Sequence, residues 1–557
     1  MAAIITNKLR IFNAQEFLQS INRAADAWVA NTAYFLGEEV VKDGNLFICK
    51  VAGTSSATGP NSVGADITDG GVTWKHIGQS VYNRLYMSIG KPTAWLNDAN
   101  PPTPEDSIGY GYTVKNAATA MKKVGIVDMT LAIPRINWTA NTVYTMYEHD
   151  LAEEIIPNSY VITEGNNQYN VYKCLNNQSF VDDSTTSIAV ASTVKPTSTS
   201  ANIETTSDGY KWKYMYSIAL TKSLKFLTKD YVPVESIQFV PADTTSAEHS
   251  QWQVQQAAIS TPGSVDQVKI MPNEVNGAVT GGIGYQPNIT RTMDLPTSTT
   301  TFTLTGVETS IASYVGYHVI DITGAPTEQF KITGWVVTGT TVAVTVDGTL
   351  TGGTSRSIII APGITTLGNG TGFKAYGLVT GGKVSNIVIS NSGTNYTNVT
   401  SATIDTALIP AAISGANNVD ACKVKVIVGP TNGHGFDAIE ELAGYYIMIA
   451  MRLEYDEIST RVNDLSASTT RVMFPVSGTP SVFRQLAIIA DPVEKTSLIP
   501  ATADSYRGPA YTGAWGTANE TTFDVESGSG KVLYIENRQP VSRAIDQIED
   551  VKVVFEF

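Results

Sequence analysis

Apolar and polar residues alternate most clearly at the C-terminal end of the chain. The final run places Val551, Val553, Phe555 and Phe557 on one face, which is the period of two expected of a half-buried strand. Chain ends usually fray, and an end this apolar is stable only when it is docked in a sheet. The pattern therefore predicts a C-terminal strand that closes a core and pairs with strands from far upstream in the sequence.

Helical periodicity is confined to short stretches. Residues 4–12 have a β-like pattern, and Asn13 with Glu16 forms a capping box that predicts a helix over the residues that follow. Residues 113–124 predict a second short helix, which Gly125 ends. We therefore expect few helices in this chain.

Most of the remaining chain consists of short strand-like runs separated by turn residues. From about 240 to 429 the sequence is rich in Gly, Thr, Ser and Val, which predicts one or two all-β domains of sandwich or barrel type. A chain of 557 residues is too long for one core, and three or four domains are expected. The predicted fold class is mainly β and multi-domain, with a β-sandwich-type core and a few short helices.

An internal repeat links residues 28–78 (the first copy) with residues 138–213 (the second copy). Both copies contain Trp, Ala-Asn-Thr-x-Tyr, aromatic-x-Cys, a Ser/Thr/Pro loop, Asp-Gly and Trp-Lys in the same order. The order pairs eight residues: Trp28 with Trp138, Tyr34 with Tyr144, Cys49 with Cys174, and Trp74 with Trp212. Each copy is predicted to be a few short strands around these side chains, with Asp-Gly in a hairpin turn.

The aromatic residues of the first copy allow two interpretations. Trp28, Tyr34 and Trp74 could form an exposed platform that stacks on sugar rings, because the pattern resembles small chitin-binding-type modules. Alternatively they form the core of the module, since a very small module needs large aromatic side chains to bury enough area. We favour the core interpretation.

Composition excludes several classes of function. The net charge of −14 argues against a nucleic-acid-binding surface. The three cysteines, Cys49, Cys174 and Cys422, lie far apart, which indicates buried thiols rather than a disulfide framework. The longest apolar run is interrupted by Arg452, and no stretch is long enough to span a bilayer. The N-terminus has no signal-peptide pattern, so we expect a soluble protein that is made in a reducing cytoplasm.

Two motifs resemble catalytic or nucleotide-binding sequences. Residues 377–384 nearly fit a phosphate-binding loop, but Val384 stands where the loop needs a hydroxyl, and a strand rather than a helix follows. This motif therefore predicts a hairpin with a Gly-Gly turn. His434 lies near Asp437 and could serve as a base, but no nucleophile motif accompanies it. We favour a packed turn where the inserted region rejoins the core.

Other titratable residues form no recognisable site. The five histidines have no metal-ligand spacing. The acidic runs at 148–154 and 453–457 single out no carboxylate pair of the kind that a glycan-cleaving enzyme uses. The sequence therefore predicts no enzyme, no cofactor and no metal.

Four stretches in the same order resemble the family of baseplate wedge protein number eight of T-even-type contractile-tailed phages. They are residues 3–22, the Gly-Lys-x-x-x-Trp and Ile-Pro-Arg-x-x-Trp motifs within 79–138, residues 481–494 with Phe-Arg-Gln, and residues 533–557 with Glu-Asn-Arg. The resemblance covers about 1–27, 79–238 and 475–557, and two insertions interrupt it.

The resemblance implies a domain organisation. A core domain would comprise 1–27, 79–137 and 430–557, so that the N-terminal and C-terminal segments share one domain. Residues 28–78 would be an inserted small all-β aromatic module, and 138–239 a second core domain that repeats it. Residues 240–429 would be one or more inserted all-β domains.

The resemblance also implies a function. We expect a structural subunit of the virion that holds neighbouring wedge proteins together and moves with the tail baseplate during infection. It would form a homodimer, contact the wedge proteins numbered six, seven and ten, and assemble in the cytoplasm of the bacterial host. It would bind neither nucleic acid nor membrane. The alternative is a glycan-binding or glycan-cleaving tail protein that contacts the host surface through 28–78 or 240–429.

Overall fold

The computed structural model describes most of the chain. The described residues are 4–21, 26–43, 45–62, 66–79, 85–150, 159–177, 180–181, 187–188, 190–271, 281–282, 284–296, 299–306, 313–323, 328–397, 399–404, 422–454, 482–492, 494–498, 521–525, 528–542 and 548–557. Within them the fold is mainly β and multi-domain, as the sequence predicts.

Five short helices lie within the described residues. They are α1 (Asn7–Ser20), α2 (Ile108–Ala117), α3 (Leu220–Phe226), α4 (Ala247–Ile259) and α5 (Ala438–Glu441). A single 3-10 turn, Ile126–Asp128, precedes one of the central strands.

Short strands make up most of the fold. The first seventeen are β1 (Asp26–Ala27), β2 (Ala33–Tyr34), β3 (Glu39–Lys42), β4 (Asn45–Val51), β5 (Gly53–Thr54), β6 (Ile67–Asp69), β7 (Val72–Gln79), β8 (Leu85–Gly90), β9 (Ala118–Lys123), β10 (Met129–Pro134), β11 (Tyr160–Gly165), β12 (Gln168–Asn176), β13 (Phe180–Val181), β14 (Ser187–Ile188), β15 (Ile203–Thr205), β16 (Lys211–Ala219) and β17 (Tyr231–Val234). The next twelve are β18 (Val265–Ile270), β19 (Ile289–Leu295), β20 (Thr299–Thr305), β21 (His318–Asp321), β22 (Glu328–Thr338), β23 (Thr341–Leu350), β24 (Gly353–Ala361), β25 (Gly363–Gly368), β26 (Thr371–Thr380), β27 (Lys383–Thr394), β28 (Val399–Thr403) and β29 (Val424–Val428). The last six are β30 (Tyr446–Glu454), β31 (Val482–Ala490), β32 (Glu494–Leu498), β33 (Thr521–Val525), β34 (Lys531–Ser542) and β35 (Ile548–Glu556).

The chain forms two compact units. Unit 1 comprises Met1–Pro134, Thr221–Phe239 and Leu442–Phe557, and unit 2 comprises Arg135–Leu220 and Val240–Glu441. The N-terminal and C-terminal segments therefore share one unit, which confirms that part of the predicted fold. The assignment of 28–78 and 240–429 as insertions stays a prediction.

Unit 1 contains two four-stranded sheets and the strands of the first repeat copy. One sheet has the order β34-β31-β8-β9 and the other the order β17-β10-β30-β35, while β1-β3-β4-β7-β6 form the sheet of the first copy. The Tyr534 ring of the first sheet meets the Phe555 ring of the second edge to face, with centroids 5.3 Å apart. This contact places aromatic side chains between the two sheets.

The C-terminal strand has the alternation that the sequence predicts. β35 pairs antiparallel with β30 along its full length, and the side chains of Val551 and Val553 are buried. At the end of the chain, the Phe557 ring lies 5.2 Å from the Phe17 ring of α1. The C-terminus is therefore held by a strand and by the N-terminal helix.

Both predicted helices are displaced along the sequence from the observed ones. Residues 7–20 form one helix, in which the Thr6 hydroxyl accepts the Leu9 backbone N–H at 3.3 Å, so the predicted strand at 4–12 is absent. The buried Ile11 and Ala14 lie three residues apart, a helical spacing that the alternating pattern of this stretch obscures. The second helix is α2, capped by Ser107, and β9 occupies most of the range predicted as helical.

Unit 2 contains the second repeat copy, a two-stranded sheet of β18 and β29 that we call the stem, and two larger sheets. The larger sheets have the orders β19-β24-β21-β22-β23-β20 and β27-β26-β25-β28, and one apolar core spans them. β26 and β27 form a hairpin whose turn is Gly381-Gly382, with φ of 59° and 77°. The positive φ values favour glycine, and the hairpin interpretation of 377–384 is confirmed.

Candidate functional site

The three aromatic residues of the first copy lie around its core. Trp74 is fully buried, Tyr34 is 8% exposed, and their rings meet edge to face at 4.9 Å. Trp28 is partly buried and packs against the same cluster. The indole N–H groups of Trp28 and Trp74 both donate to Asp69 Oδ2, each at 3.0 Å. These contacts hold the aromatic side chains from inside the module.

The Asp69 carboxylate is fixed in its charged form by its neighbours. Burial raises the pKa of Asp69, but hydrogen bonds from Ser56, Trp74 and Trp28 outweigh the burial and hold the pKa below its usual range. One carboxylate thus satisfies two indoles and one backbone N–H. Because both indoles donate to the same carboxylate, the module itself orients the two tryptophans, and no bound ligand is needed to hold them.

The second copy reproduces the tyrosine and cysteine contacts of this arrangement but not the indole contacts, since the Trp138 indole donates to Ser192 Oγ at 3.2 Å. Tyr144 Oη accepts the Thr139 N–H at 2.6 Å, just as Tyr34 Oη accepts the Val29 N–H at 2.7 Å. Cys174 stands opposite Trp212 across two strands, just as Cys49 stands opposite Trp74. The Trp212 indole N–H, however, has no partner among the described residues. In this copy Asp208 binds the backbone at 193–194 instead of the indole.

All three cysteines are free and buried, as the sequence predicts. Burial raises the pKa of the Cys49, Cys174 and Cys422 thiols, and a protonated buried thiol is a poor nucleophile. The cysteines therefore serve packing.

A loop in unit 1, residues 91–107, is fixed by buried side chains from the C-terminal strands. Arg484 of β31 is 9% exposed and binds Asp98 through two parallel hydrogen bonds of 2.9 and 2.8 Å. Its third contact is a 2.6 Å hydrogen bond to the Pro92 carbonyl. A bidentate pair of this kind fixes geometry as well as charge.

We call the hydrogen bonds that join residues 91–107 to β31 and β34 the clamp. Amide side chains extend it along β34. Gln485 donates to Asn537 at 2.8 Å, and Asn537 donates in turn to the Pro102 carbonyl at 2.8 Å and to Tyr110 Oη at 2.6 Å. The Trp95 indole donates to the Arg538 carbonyl at 3.1 Å. These hydrogen bonds tie the loop to β31 and β34, a role that the sequence pattern did not predict for the residues involved. The sequence signals were their places in the Phe-Arg-Gln, Glu-Asn-Arg and Gly-Lys-x-x-x-Trp motifs.

His434 lies at the centre of a buried charged cluster in unit 2. Its Nε2 lies 2.8 Å from Asp266 and its Nδ1 lies 2.8 Å from Glu441. The Tyr147 ring packs edge to face on the imidazole at 4.8 Å, and Lys173 Nζ lies 3.6 Å from Glu441. Both ring nitrogens are therefore engaged by carboxylates, and neither is positioned as a base for an external substrate.

Asp437 is not the partner of His434 that its place in the sequence suggested. Its carboxylate instead accepts the backbone N–H groups of Ile439 and Glu440 at the start of α5. His434 does occupy a turn, Gly433 to Gly435, directly after the stem. The packed-turn interpretation thus accounts for its position but did not include its two carboxylate partners.

No candidate metal or catalytic site emerges from the described residues. Within them, no group of three or more His, Cys, Asp or Glu side chains is arranged to hold a metal ion. Of the two acidic runs, residues 151–154 and 455–457 lie outside the described residues. Glu148, in the first run, is paired with Lys269 and Lys425 at 2.6 Å each. Among the described helices, none has the length and apolar character needed to cross a membrane.

Comparison with known families gives a match in the C-terminal part of the chain. The model of the family described as bacteriophage T4 Gp8 matches residues 440–557. This part of the chain is similar to the Gp8 family. No curated protein matches the chain.

The residues that match Gp8, 440–557, contribute one side of the clamp. Arg484, Gln485 and Asn537 lie within the matched residues, whereas their partners Asp98 and Tyr110 lie outside them. The clamp therefore joins the residues that match Gp8 to the N-terminal part of unit 1. The match supports a structural role in the baseplate wedge of a phage tail.

Proposed function

We propose that this chain is a structural subunit of a phage baseplate wedge, which holds neighbouring wedge proteins together and moves with the baseplate during infection. The match of residues 440–557 to the Gp8 family model carries the proposal, and the clamp between residues 91–107 and strands β31 and β34 supports it. The clamp fixes a surface loop to two neighbouring strands of one sheet of unit 1, so that force applied to the loop reaches both strands. The proposal assigns the chain no catalytic activity and no cofactor.

The partners we propose are a second copy of the chain and the wedge proteins numbered six, seven and ten. A scaffold of this kind works through broad, self-complementary contacts rather than through a pocket. We place the protein in the tail baseplate of the virion after assembly in the host cytoplasm, with no contact to nucleic acid or membrane. The regions 28–78 and 240–429 are proposed as insertions that decorate the wedge.

The aromatic residues of the first copy are proposed to serve packing. The full burial of Trp74, the near-full burial of Tyr34 and the shared Asp69 acceptor support this proposal. A sugar-stacking platform needs exposed ring faces, and of the three residues only Trp28 is substantially accessible. We therefore favour the structural role over the glycan-binding alternative.

Loss of the protein is expected to block baseplate assembly. An early stop codon in its gene, introduced into the phage that encodes it, should yield lysates without complete baseplates in a non-suppressing host. Electron microscopy of the lysate makes the measurement, and the same mutant grown in a suppressing host is the control. Complete virions that only adsorb poorly would contradict the structural role and favour the glycan-binding alternative.

Purified protein is expected to be a dimer. Light scattering at micromolar concentration should give twice the 59.6 kDa mass of the chain. A stable trimer would contradict the wedge assignment and favour a fibre or spike protein, because those assemblies have three-fold symmetry.

A further inference from the structure

The two repeat copies have an equivalent strip of four residues. In the first copy it is 35–38, directly after Tyr34, and in the second copy it is 145–148, directly after Tyr144. Gly37 N–H donates to the Cys49 carbonyl at 2.8 Å, and Tyr147 N–H donates to the Cys174 carbonyl at 2.9 Å. The strip therefore lies beside the same strand, the one that carries the cysteine, in both copies.

In the second copy the stem covers this strip. Tyr147 Oη donates to the Val428 carbonyl of β29 at 3.2 Å, and Met146 is 4% exposed. The Glu148 carboxylate forms ion pairs with Lys269 of β18 and Lys425 of β29. These two lysines are direct cross-strand neighbours in the stem.

The stem presents a simple pattern to the strip. Lys425 and Ile427 lie two residues apart on β29 and so face the same side of the strand. Ile427 is fully buried in the core of the second copy, while Lys425 pairs with Glu148. Burial raises the pKa of Glu148, but Lys269 and Lys425 outweigh it and hold the pKa below its usual range. The strip of the second copy therefore contacts a strand that carries a lysine and, two residues later, an aliphatic residue.

In the first copy the equivalent strip is open to solvent. Phe35 is 68% exposed and Leu36 is 40% exposed. Val51, at the end of the adjoining strand, is 50% exposed, whereas Asn176 at the corresponding place in the second copy is 8% exposed. Glu38 follows Gly37 as Glu148 follows Tyr147, although its carbonyl accepts the Cys49 N–H, a place that Ser159 takes in the second copy. Glu38 is exposed, and within the described residues its carboxylate accepts the Phe35 backbone N–H.

We propose that residues 35–38 and Val51 form a docking surface for a two-stranded β-ribbon of another protein. The ribbon carries a lysine that pairs with Glu38 and, two residues further on, an aliphatic side chain that covers Leu36. The second copy shows this occupant on the equivalent surface, and the exposed carboxylate supplies the complementary charge. The proposal does not rest on the baseplate role, because it follows from the comparison of the two copies alone.

A peptide made from the chain's own stem is the probe. Residues 264–270 are joined to residues 424–429 by Asn-Gly, which suits the turn between antiparallel strands, and the peptide is cyclised and labelled with a fluorophore. In the full chain the second copy already holds its stem, so the first copy is the surface left for the peptide. Fluorescence anisotropy measures binding to the full-length protein.

We expect saturable binding that depends on the strip. Phe35→Ser and Leu36→Ser should each weaken binding by about tenfold, the loss expected when one apolar contact is removed. Glu38→Lys should weaken it as much or more, and a peptide with glutamate in place of both lysines should restore binding to this variant. Val29→Ser is the matched control, since Val29 is 56% exposed and its counterpart Thr139 is exposed too.

Two results would overturn the proposal. One is the absence of saturable binding up to roughly 1 mM peptide, the weak end of specific association. The other is binding that Glu38→Lys and Leu36→Ser leave unchanged while thermal melting shows both variants folded. Either result leaves the proposed baseplate role intact.

Discussion

Deletion of residues 545–557 is expected to prevent unit 1 from folding. The deletion removes β35, which pairs with β30 from Tyr446 to Glu454, together with the buried side chains of Val551 and Val553. Full burial of an aliphatic side chain contributes about 1.5–3 kcal/mol, so these two valines contribute roughly 3–6 kcal/mol, and the partly buried Phe555 adds to this. That is the same order as the whole stability of a typical domain, about 5–15 kcal/mol.

Hydrogen exchange in β30 and β31 makes the measurement. In the truncated chain both strands should lose their protection, whereas deletion of residues 28–78 should leave them protected. A soluble truncated chain that melts cooperatively and keeps β30 protected would refute the expectation.

Two point variants test whether the deletion acts through the loss of buried side chains on β35 rather than through the shorter chain. Val553→Asp should act like the deletion, because it places a carboxylate in a site that is 4% exposed. Asp550→Ala on the same strand should cost less than about 1 kcal/mol, since the side chains of Arg452 and Asp550 are 59% and 52% exposed. Equal effects of the two substitutions would show that the strand is not closing a core.

Local patterns in the sequence were sufficient to predict the C-terminal strand, the Gly381-Gly382 hairpin and the free, buried cysteines. The strand and the hairpin depend on spacing within a few residues, where the period of a strand or the φ of glycine leaves little choice, and the free cysteines follow from their small number and wide separation. The repeat could be identified for the same reason, because Trp, Tyr and Cys recur in order. Its second copy then showed which side chains share a core.

The sequence did not reveal contacts between distant segments. Arg484 and Asp98 are 386 residues apart, and His434 and Asp266 are 168 residues apart. Nothing in the neighbourhood of either residue indicates which strand will bring its partner. Proximity in the sequence suggested the wrong partner for His434, because Asp437 lies three residues away but caps a helix.

The first turns of the N-terminal helix were predicted as a strand for a different reason. Residues 4–12 contain apolar residues at both helical and strand spacing, and the strand interpretation ignored Thr6 as a cap for Leu9. Much of the face of α1 is polar or exposed, so its helical period is weak. A helix that buries little more than Ile11 and Ala14 gives a weak signal in any sequence.

Replacement of His434 by alanine is expected to destabilise unit 2 by about 3–5 kcal/mol. The substitution leaves Asp266 and Glu441, whose side chains are 5% and 7% exposed, without the cation between them. Removal of one member of a buried charged pair costs more than the pair contributes, because the remaining charge stays desolvated. The double variant His434→Ala with Asp266→Ala should therefore be no less stable than His434→Ala alone.

The same cluster should make the stability of unit 2 depend on pH. Burial lowers the pKa of His434, but Asp266 and Glu441 outweigh it and raise the pKa from 6.5 to about 9. Lys173 lies beside Glu441, and burial lowers the pKa of Lys213, which faces both carboxylates. A histidine with a raised pKa stabilises the fold fully below the unfolded pKa, and this contribution falls as pH rises towards the folded value.

The wild-type protein should therefore lose about 3 kcal/mol of stability in unit 2 between pH 6.5 and 9, the linkage equivalent of the shift in the pKa of His434. His434→Gln should remove most of this dependence, since glutamine keeps hydrogen-bonding capacity without a titrating proton. Hydrogen exchange in β18 and β29, measured at several pH values and corrected for the intrinsic rate, reports the change. A wild-type profile that matches the His434→Gln profile across this range would show that the imidazole is not charged in the folded protein, and that the two carboxylates are stabilised by Lys173 and backbone N–H groups instead.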